Sequence, residues 1–474
     1  VGLAIFVVTA LGAFMGSLDL SIVNIAFTAI EKTFGSTSRS TLTWIVSGYA
    51  IAFGSLLVVA GRTADRLGAR RVFFFGLAVF CGSSALCGLA PTLPLLIAGR
   101  VLQGLGAAAV LPSSLGLLLA SVPLAKRTVA VARWAGVGAL AVATGPTLGG
   151  LLVTAGGWRW VFYVNLPIGL VTWLAGRVVL PTTEPNASHA APDYLGALLA
   201  FLSLGALVLA ITEGSSWGWS SFEFFGTMVA AVLVGAAFVA RCRRHPEPVL
   251  DLQLFKSRNF SVANSAMVLY AMGFFAMLLG NILFLQYEWH YSVLKAGLAV
   301  TPGPLVVATV ASFAGSVANR VGFRRVLLVG SASVITGLLL LATRITVHPD
   351  FPSVWLPSML LTGFGIGCTF PVLGASAVSN LPRERFSVGS AVNQTARQVG
   401  GSIGVAVLAV ILATSQVVPP LSSFRWLWGY AAGMAALSGL VCLLLPARRA
   451  VATAPADAWD RAVAAIVDVA TESA

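Results

Sequence analysis

An acid inside a run of apolar residues needs a reason to be there, and this 474-residue sequence has one at Asp19, within LDLSIVNIAF (18–27). A carboxylate near the middle of a membrane helix costs ~2.5–3.5 kcal/mol to insert, against a gain of only ~0.3–0.6 kcal/mol from each Leu, Ile, Phe or Val around it. Two roles account for it: a structural carboxylate paired with an arginine, or a proton site whose ionisation is balanced between desolvation and a nearby cation. A partner stands in AGRVLQGLGAAAVLP (98–112), where Arg100 and Gln103 are three apart and share a helical face. Gly99, Gly104 and Gly106 in the same stretch let a neighbouring backbone approach. Asp19 lies ~16 Å and Arg100 ~12 Å from the outer ends of their helices at 1.5 Å per residue, depths at which the two can meet.

Polar chemistry returns near the other end of the chain. In NQTARQVGGSIG (393–404), Asn393 and Arg397 are four apart, as are Gln394 and Gln398, a polar stripe that is expected to face a cavity. With Asn24, Trp44, Tyr49 and Gln103, the residues Asn393, Gln394 and Arg397 are the candidates for lining a substrate cavity, although Trp44 and Tyr49 equally suit packing or an interface. ATGPTLGG (143–150) places Gly145 and Gly149 at GxxxG spacing around Pro146, followed by Gly150, so a kinked, closely packed helix is expected. The five cysteines lack CxxC spacing and read as small apolar packers, and the four histidines are scattered, so no metal site is expected.

The elements that must hold these residues are set by the solvent. The chain is 58% apolar and 9% charged, with a mean hydropathy of +0.91, values outside the range of water-soluble domains. Its apolar runs reach the ~20 residues that a spanning helix needs, and about fourteen such runs are separated by short polar breaks. Long continuous runs exclude a β-barrel, whose strands alternate. The expected class is therefore an all-α membrane protein. The net charge of +13 is not a nucleic-acid footprint. Only Lys32, Arg39, Arg159, Lys295, Arg344 and Arg425 fall in outer loops, and the positive-inside rule then puts both termini in the cytoplasm. Val1 begins inside an apolar run without a basic leader, so no cleaved signal peptide is expected, and the sequence leaves a cytoplasmic tail before Val1 open.

A repeat divides the chain. GRTADRLGARR (61–71) returns as GSVANRVGFRR (315–325), with Gly at positions one and eight and Arg at six, ten and eleven in both copies. The first Gly is expected to end a helix and the second to permit a tight turn, with the arginines at a membrane face. GLGAAAVLP (104–112) returns as GFGIGCTFP (363–371) at nearly the same offset. The implied domains are a six-helix bundle over 1–180, a linker with two extra helices over 181–240, a cytoplasmic link over 241–259 on the inner leaflet, a second six-helix bundle over 260–445, and a cytoplasmic tail over 446–474.

Together these segments resemble the major facilitator superfamily, and in particular its 14-helix drug:proton antiporters. The resemblance rests on GRTADRLGARR between helices two and three, LDLSIVNIAF in helix one, RVLQGLGAA in helix four, GPTLGG in helix five, WRWVFYVNLPIG, and NQTARQVGG. Thr63 and Ala69, Phe27 and Thr28, and Ala141 depart from the family's usual residues. What the resemblance implies is alternating access by two bundles around a central cavity, with helices seven and eight outside the core. It implies proton-coupled efflux of amphiphilic drugs or antibiotics across the cell membrane, with no cofactor beyond the proton gradient and a monomer as the working unit. Asp19 would carry the proton and Arg100 would tune it. Gly61, Asp65, Arg66, Gly68, Arg70 and Arg71 would form a gating loop on the cytoplasmic side, and Gly145, Pro146, Gly149 and Gly150 the antiporter signature. Asp19 would favour neutral or cationic substrates. An importer of the same fold is the alternative, and a membrane-embedded enzyme is a rival of another class that lacks the clustered His, Asp or Glu it would need.

Overall fold

A computed structural model describes residues 2–35, 39–123, 127–182, 191–381, 385–413 and 419–446, so the tail beyond Pro446 lies outside the described residues. Among these, every regular element is helical. The first half comprises α1 (Gly2–Thr33), α2 (Arg39–Leu67), α3 (Ala69–Leu89), α4 (Leu93–Ser121), α5 (Arg127–Gly156), and the short α6 (Trp160–Tyr163) running into α7 (Asn165–Val179). A hairpin of α8 (Tyr194–Trp217) and α9 (Phe222–Arg244) follows. The second half comprises α10 (Arg258–Tyr287), α11 (Val293–Val300) continuing as α12 (Pro302–Val321), α13 (Phe323–Arg344), α14 (Leu356–Val378), α15 (Phe386–Leu412) and α16 (Leu421–Cys442). Thirteen helical segments of the described chain are long and apolar enough to cross a membrane. α16, 22 residues long, packs beside them on α10 and α13.

The duplication read from the sequence is visible as duplicated packing. In the first half α4 lies on α2 and α3, and in the second α14 lies on α12 and α13. Glycine makes both contacts possible. A Cβ on Gly104 would sit 2.6 Å from the Tyr49 carbonyl, and one on Gly106 would sit 2.6 Å from the Phe80 backbone nitrogen. Their counterparts repeat this, with Gly363 against the Gly303 carbonyl at 2.6 Å and Gly365 against the Val334 backbone nitrogen at 2.9 Å. Small residues of this kind let helices approach where lipid provides no hydrophobic drive for association.

The arginine-rich motifs are folded differently from the expected loop. α2 continues through Gly61 to Leu67, and α12 through Gly315 to Val321, so the first glycine of each copy ends nothing. The chain turns only at the second, at Gly68 (φ 95°) and Gly322 (φ 96°), each directly joining two helices. That left-handed conformation is readily available only to glycine. Gly61 lacks any such need, because the polar residues after it are at the helix end and reach water without breaking the backbone ladder.

The insertion and the link also differ from expectation. α9 extends to Arg244, so Arg241, Arg243 and Arg244 belong to a helix rather than to a surface link. The remaining connection is tucked into the protein: Val249 packs with Val58, Val59 and Ala197, and Leu254 with Phe260, Ala263, Ala377 and Val392. Its apolar residues find a protein surface, so it has no reason to spread on a leaflet. α9 is peripheral, as expected of an extra helix, but α8 is not. It packs on both α2 and α15, with Val208 in one cluster with Ile51 and Ala406, and so covers the seam between the halves.

Candidate functional site

α1 and α4 bring together the acid and the base read from the sequence. Close approach of α4 to α2 at Gly104 leaves the side chain one turn earlier, Arg100, wedged between α1 and α2. Its Nη1 donates to Asp19 Oδ2 at 2.5 Å and to Gln103 Oε1 at 2.7 Å, and its Nε donates to the Ile45 carbonyl at 2.9 Å. The guanidinium lies 4.3 Å from the centre of the Tyr49 ring. Asp19 is 0% exposed and Arg100 2%. The other carboxylate oxygen, Oδ1, accepts from Gln103 Nε2 at 2.9 Å and from Asn165 Nδ2 at 3.5 Å. Ser84 links these donors from below, accepting from Asn165 at 3.1 Å and donating to the Phe162 carbonyl at 2.9 Å.

Each oxygen of Asp19 is therefore matched with a donor, which is the condition for keeping a charge in a low-dielectric interior. The same arrangement can change state. Protonation of Asp19 would free Arg100 from its only carboxylate while leaving it the Ile45 carbonyl, Gln103 and the Tyr49 face. Asn165 and Ser84 were not singled out from the sequence. The signal for Asn165 was its position as the lone amide in VFYVNLPIG, hidden by the aromatic residues around it.

The crevice between the halves touches this cluster from one side. It is narrow and is lined by Asn24, Tyr49 and Arg100 from the first half and by Phe275, Gly401 and Ser402 from the second. Asp19 itself is not part of that lining; it turns into the first bundle behind Arg100. Asn24 presents an amide oxygen that has no hydrogen-bond partner. Trp44 belongs elsewhere: it packs with Ile51, Val208 and Ala406 at the seam that α8 covers. A second cavity of about 300 Å³ lies between α2, α8, α10 and α15, with Ser55, Asn264 and Thr395 in a mostly apolar wall.

The polar stripe of α15 is divided among its neighbours. Asn393 donates to Asn264 of α10 at 3.1 Å. Gln398 packs on Gly54 of α2, beside the bond from Thr395 Oγ1 to the Gly54 carbonyl at 2.9 Å. Gln394 is partly buried. Arg397 lies 4.4 Å from the centre of the Phe370 ring and 5.9 Å from that of Phe275.

GPTLGG serves two interfaces at once. Toward α1, a Cβ on Gly145 would meet Ser21, and one on Gly149 would lie 3.1 Å from the Ile22 carbonyl. Toward the second half, Gly150 abuts the Leu294 backbone, Gly297 abuts the Pro146 carbonyl, and Thr147 and Thr301 share a hydrogen bond of 2.6 Å. α5 remains helical through Pro146. The halves also join at this end through Thr28 with Gln286 and Glu31 with Tyr287.

At the opposite end lies the arginine motif. Arg70 donates to the Arg177 carbonyl at 2.9 Å, while Asp65 and Arg71 are exposed and Arg66 partly so. Arg62, which the sequence did not single out, donates to the Pro248 carbonyl at 2.5 Å and pairs with Glu247 at 3.3 Å. Among the described residues, no three His, Cys, Asp or Glu side chains cluster as metal ligands.

Known proteins share this design. The family model of the Major Facilitator Superfamily matches residues 9–405, and again 263–471. The chain belongs to the Major Facilitator Superfamily. Relatives within the superfamily include multidrug resistance protein Stp of Mycobacterium tuberculosis, 35% identical over 86% of this chain and 75% of its own length. Tetracenomycin C resistance and export protein of Streptomyces glaucescens is 34% identical over 85% and 75%. Methylenomycin A resistance protein of Bacillus subtilis is 34% identical over 95% and 96%. Among solved superfamily structures, the nucleoside transporter NupG superposes with a TM-score of 0.65 at 12% identity, covering 93% of this chain and all of its own. A bacterial homologue of the human drug peptide transporters PepT1 and PepT2 gives 0.65 at 15%, covering 94% and 98%. At those identities the likeness establishes the fold.

Proposed function

We propose that this transporter exports amphiphilic drugs or antibiotics from the cytoplasm in exchange for protons. The Gly68 and Gly322 end faces the cytoplasm and both termini lie on that side, as the distribution of Lys and Arg favours. The protein works as a monomer by alternating access. Export agrees with the resistance and export names of relatives that match most of the chain. Coupling is carried by one observation: Asp19 is fully buried at mid-helix, yet bonded to an arginine that borders the crevice between the halves.

In this cycle the proton and substrate do not contact the same atom. Protonation of Asp19 loosens Arg100, and Arg100 alters the crevice wall. The motif residues Asp65, Arg66, Arg70 and Arg71 latch the cytoplasmic end while Gly145, Gly149 and Gly150 allow the far end to close. The test is a substrate panel applied to purified protein in liposomes, with internal pH recorded as each compound is added. Substrate-dependent proton movement supports the reading, and transport of a compound with no accompanying proton flux overturns it.

A further inference from the structure

The second half carries a cation that lacks what the first half provides for its own. At the repeat offset of Gly104 and Gly363, Arg100 corresponds to Met359, so the charge pair was not duplicated. The buried cation of the second half instead stands on α15, at Arg397. It is only partly exposed, and among the described residues it has no hydrogen-bond or ion-pair partner.

Aromatic rings take the place of a counter-anion. Phe370 and Phe275 lie under the guanidinium, and Phe274 meets Phe370 edge to face at 4.9 Å, with Tyr270 on its other side at 5.1 Å. Ring faces partly compensate a cation, but they leave the guanidinium's planar fork of donors unused. Arg397 is also one helical turn before Gly401 on the same face of α15, and Gly401 and Phe275 line the crevice that Arg100, Tyr49 and Asn24 border from the other half. Arg397 is not itself part of that lining; it stands beside Phe275, one helical turn nearer the Gly68 end than Gly401.

Charge balance around the crevice then runs opposite to the expectation from Asp19. That carboxylate is cancelled by Arg100 and screened behind it, and offers nothing to a cationic substrate. The uncancelled charge is positive. We infer that Arg397, framed by Phe274, Phe275 and Phe370, is the subsite for an acidic group on a flat aromatic substrate: a carboxylate, phenolate or enolate held by the guanidinium, with its ring stacked on the phenylalanines. This deepens the export reading by naming the substrate class, and rests on the crevice being the substrate path.

Equilibrium binding to purified protein in nanodiscs tests it without any gradient, using fluorescein as the anionic flat dye and ethidium as the cationic one. Fluorescein binds the unaltered protein more tightly than ethidium. Arg397→Gln weakens fluorescein by about tenfold or more, the factor expected for a charge-assisted hydrogen bond, and leaves ethidium unchanged or tighter. Arg397→Lys restores part of the loss, and Phe370→Leu, which keeps the charge, weakens fluorescein by a smaller factor. Monodisperse elution of each variant shows that it is folded. Equal fluorescein affinity in Arg397→Gln, equal loss of both dyes in a folded variant, or no preference for fluorescein in the unaltered protein overturns the subsite. Binding that follows the expected pattern in a protein that moves neither dye against a proton gradient would instead sink the export reading and leave the subsite standing.

Discussion

Replacing Asp19 by Asn removes a titratable group while keeping its shape, and the structure sets how large the effect must be. Asp19 is the one carboxylate among the described residues that sits in the middle of a spanning helix; Glu31, Asp65, Asp193 and Glu223 lie at or near helix ends. As the proposed carrier, Asp19 alone would move one proton per cycle. A charge crossing 100 mV yields ~2.3 kcal/mol, which converts to about a fiftyfold concentration ratio for a neutral substrate. In liposomes under an equivalent proton gradient, the unaltered protein should approach that ratio, and Asp19→Asn should equilibrate substrate to a ratio of about one. The substitution also leaves Arg100 charged and buried. Breaking a buried pair costs ~3–5 kcal/mol, and the lower end applies because Arg100 keeps the Ile45 carbonyl, Gln103 and the Tyr49 ring. Elution as a single folded species must therefore be verified before transport is measured. Uphill accumulation by folded Asp19→Asn at the unaltered level would refute the proton role.

Other perturbations probe other parts. Glu288 follows the last residue of α10, where burial raises its pKa above the usual carboxylate value. A raised carboxyl favours its neutral form in the folded state, so this group's contribution to stability is present at acidic pH and fades as pH rises through the folded pKa. Glu288→Gln should consequently raise the melting temperature at neutral pH and change little at acidic pH. Gly150→Leu places bulk against the Leu294 backbone, and engineered cysteines near Thr28 and Gln286 should become more reactive as that end is held open; unchanged reactivity would separate GPTLGG from closure. Asp65→Asn should shift the balance between the two open states, seen as opposite changes in cysteine reactivity at the two ends. Gly68→Ala forces a side chain into the left-handed region and should cost ~1–2 kcal/mol, read as a lower melting temperature with α2 and α3 intact.

Much of the arrangement was legible because membranes make exceptions expensive. A mid-span acid and a mid-span arginine at compatible depths had few other partners, and they meet. Small residues at fixed offsets gave the duplicated α4 and α14 contacts. Depth arithmetic carries no information about rotation around a helix, however. Asn393 and Arg397 share a face by spacing, yet one is used by Asn264 and the other lies against Phe370 and Phe275; Trp44 went to the α8 seam for the same reason. Gly61 misled because glycine next to charge suggests a turn, when only positive φ demands one. Asn165 stayed hidden because a single amide among aromatics looks like an interface residue until its two partners, on α1 and α3, are known.

The position of α8 has a mechanical consequence. A helix that adheres to one half can ride along when the halves rotate, but α8 touches α2 and α15 together. Under the proposed alternating access every swing would shear at least one of those surfaces, so turnover would include a sliding step with its own friction. Smooth, small side chains such as Ala406 facing Ile51 and Val208 then act as a bearing, and coarsening that track should slow the cycle while leaving substrate affinity alone.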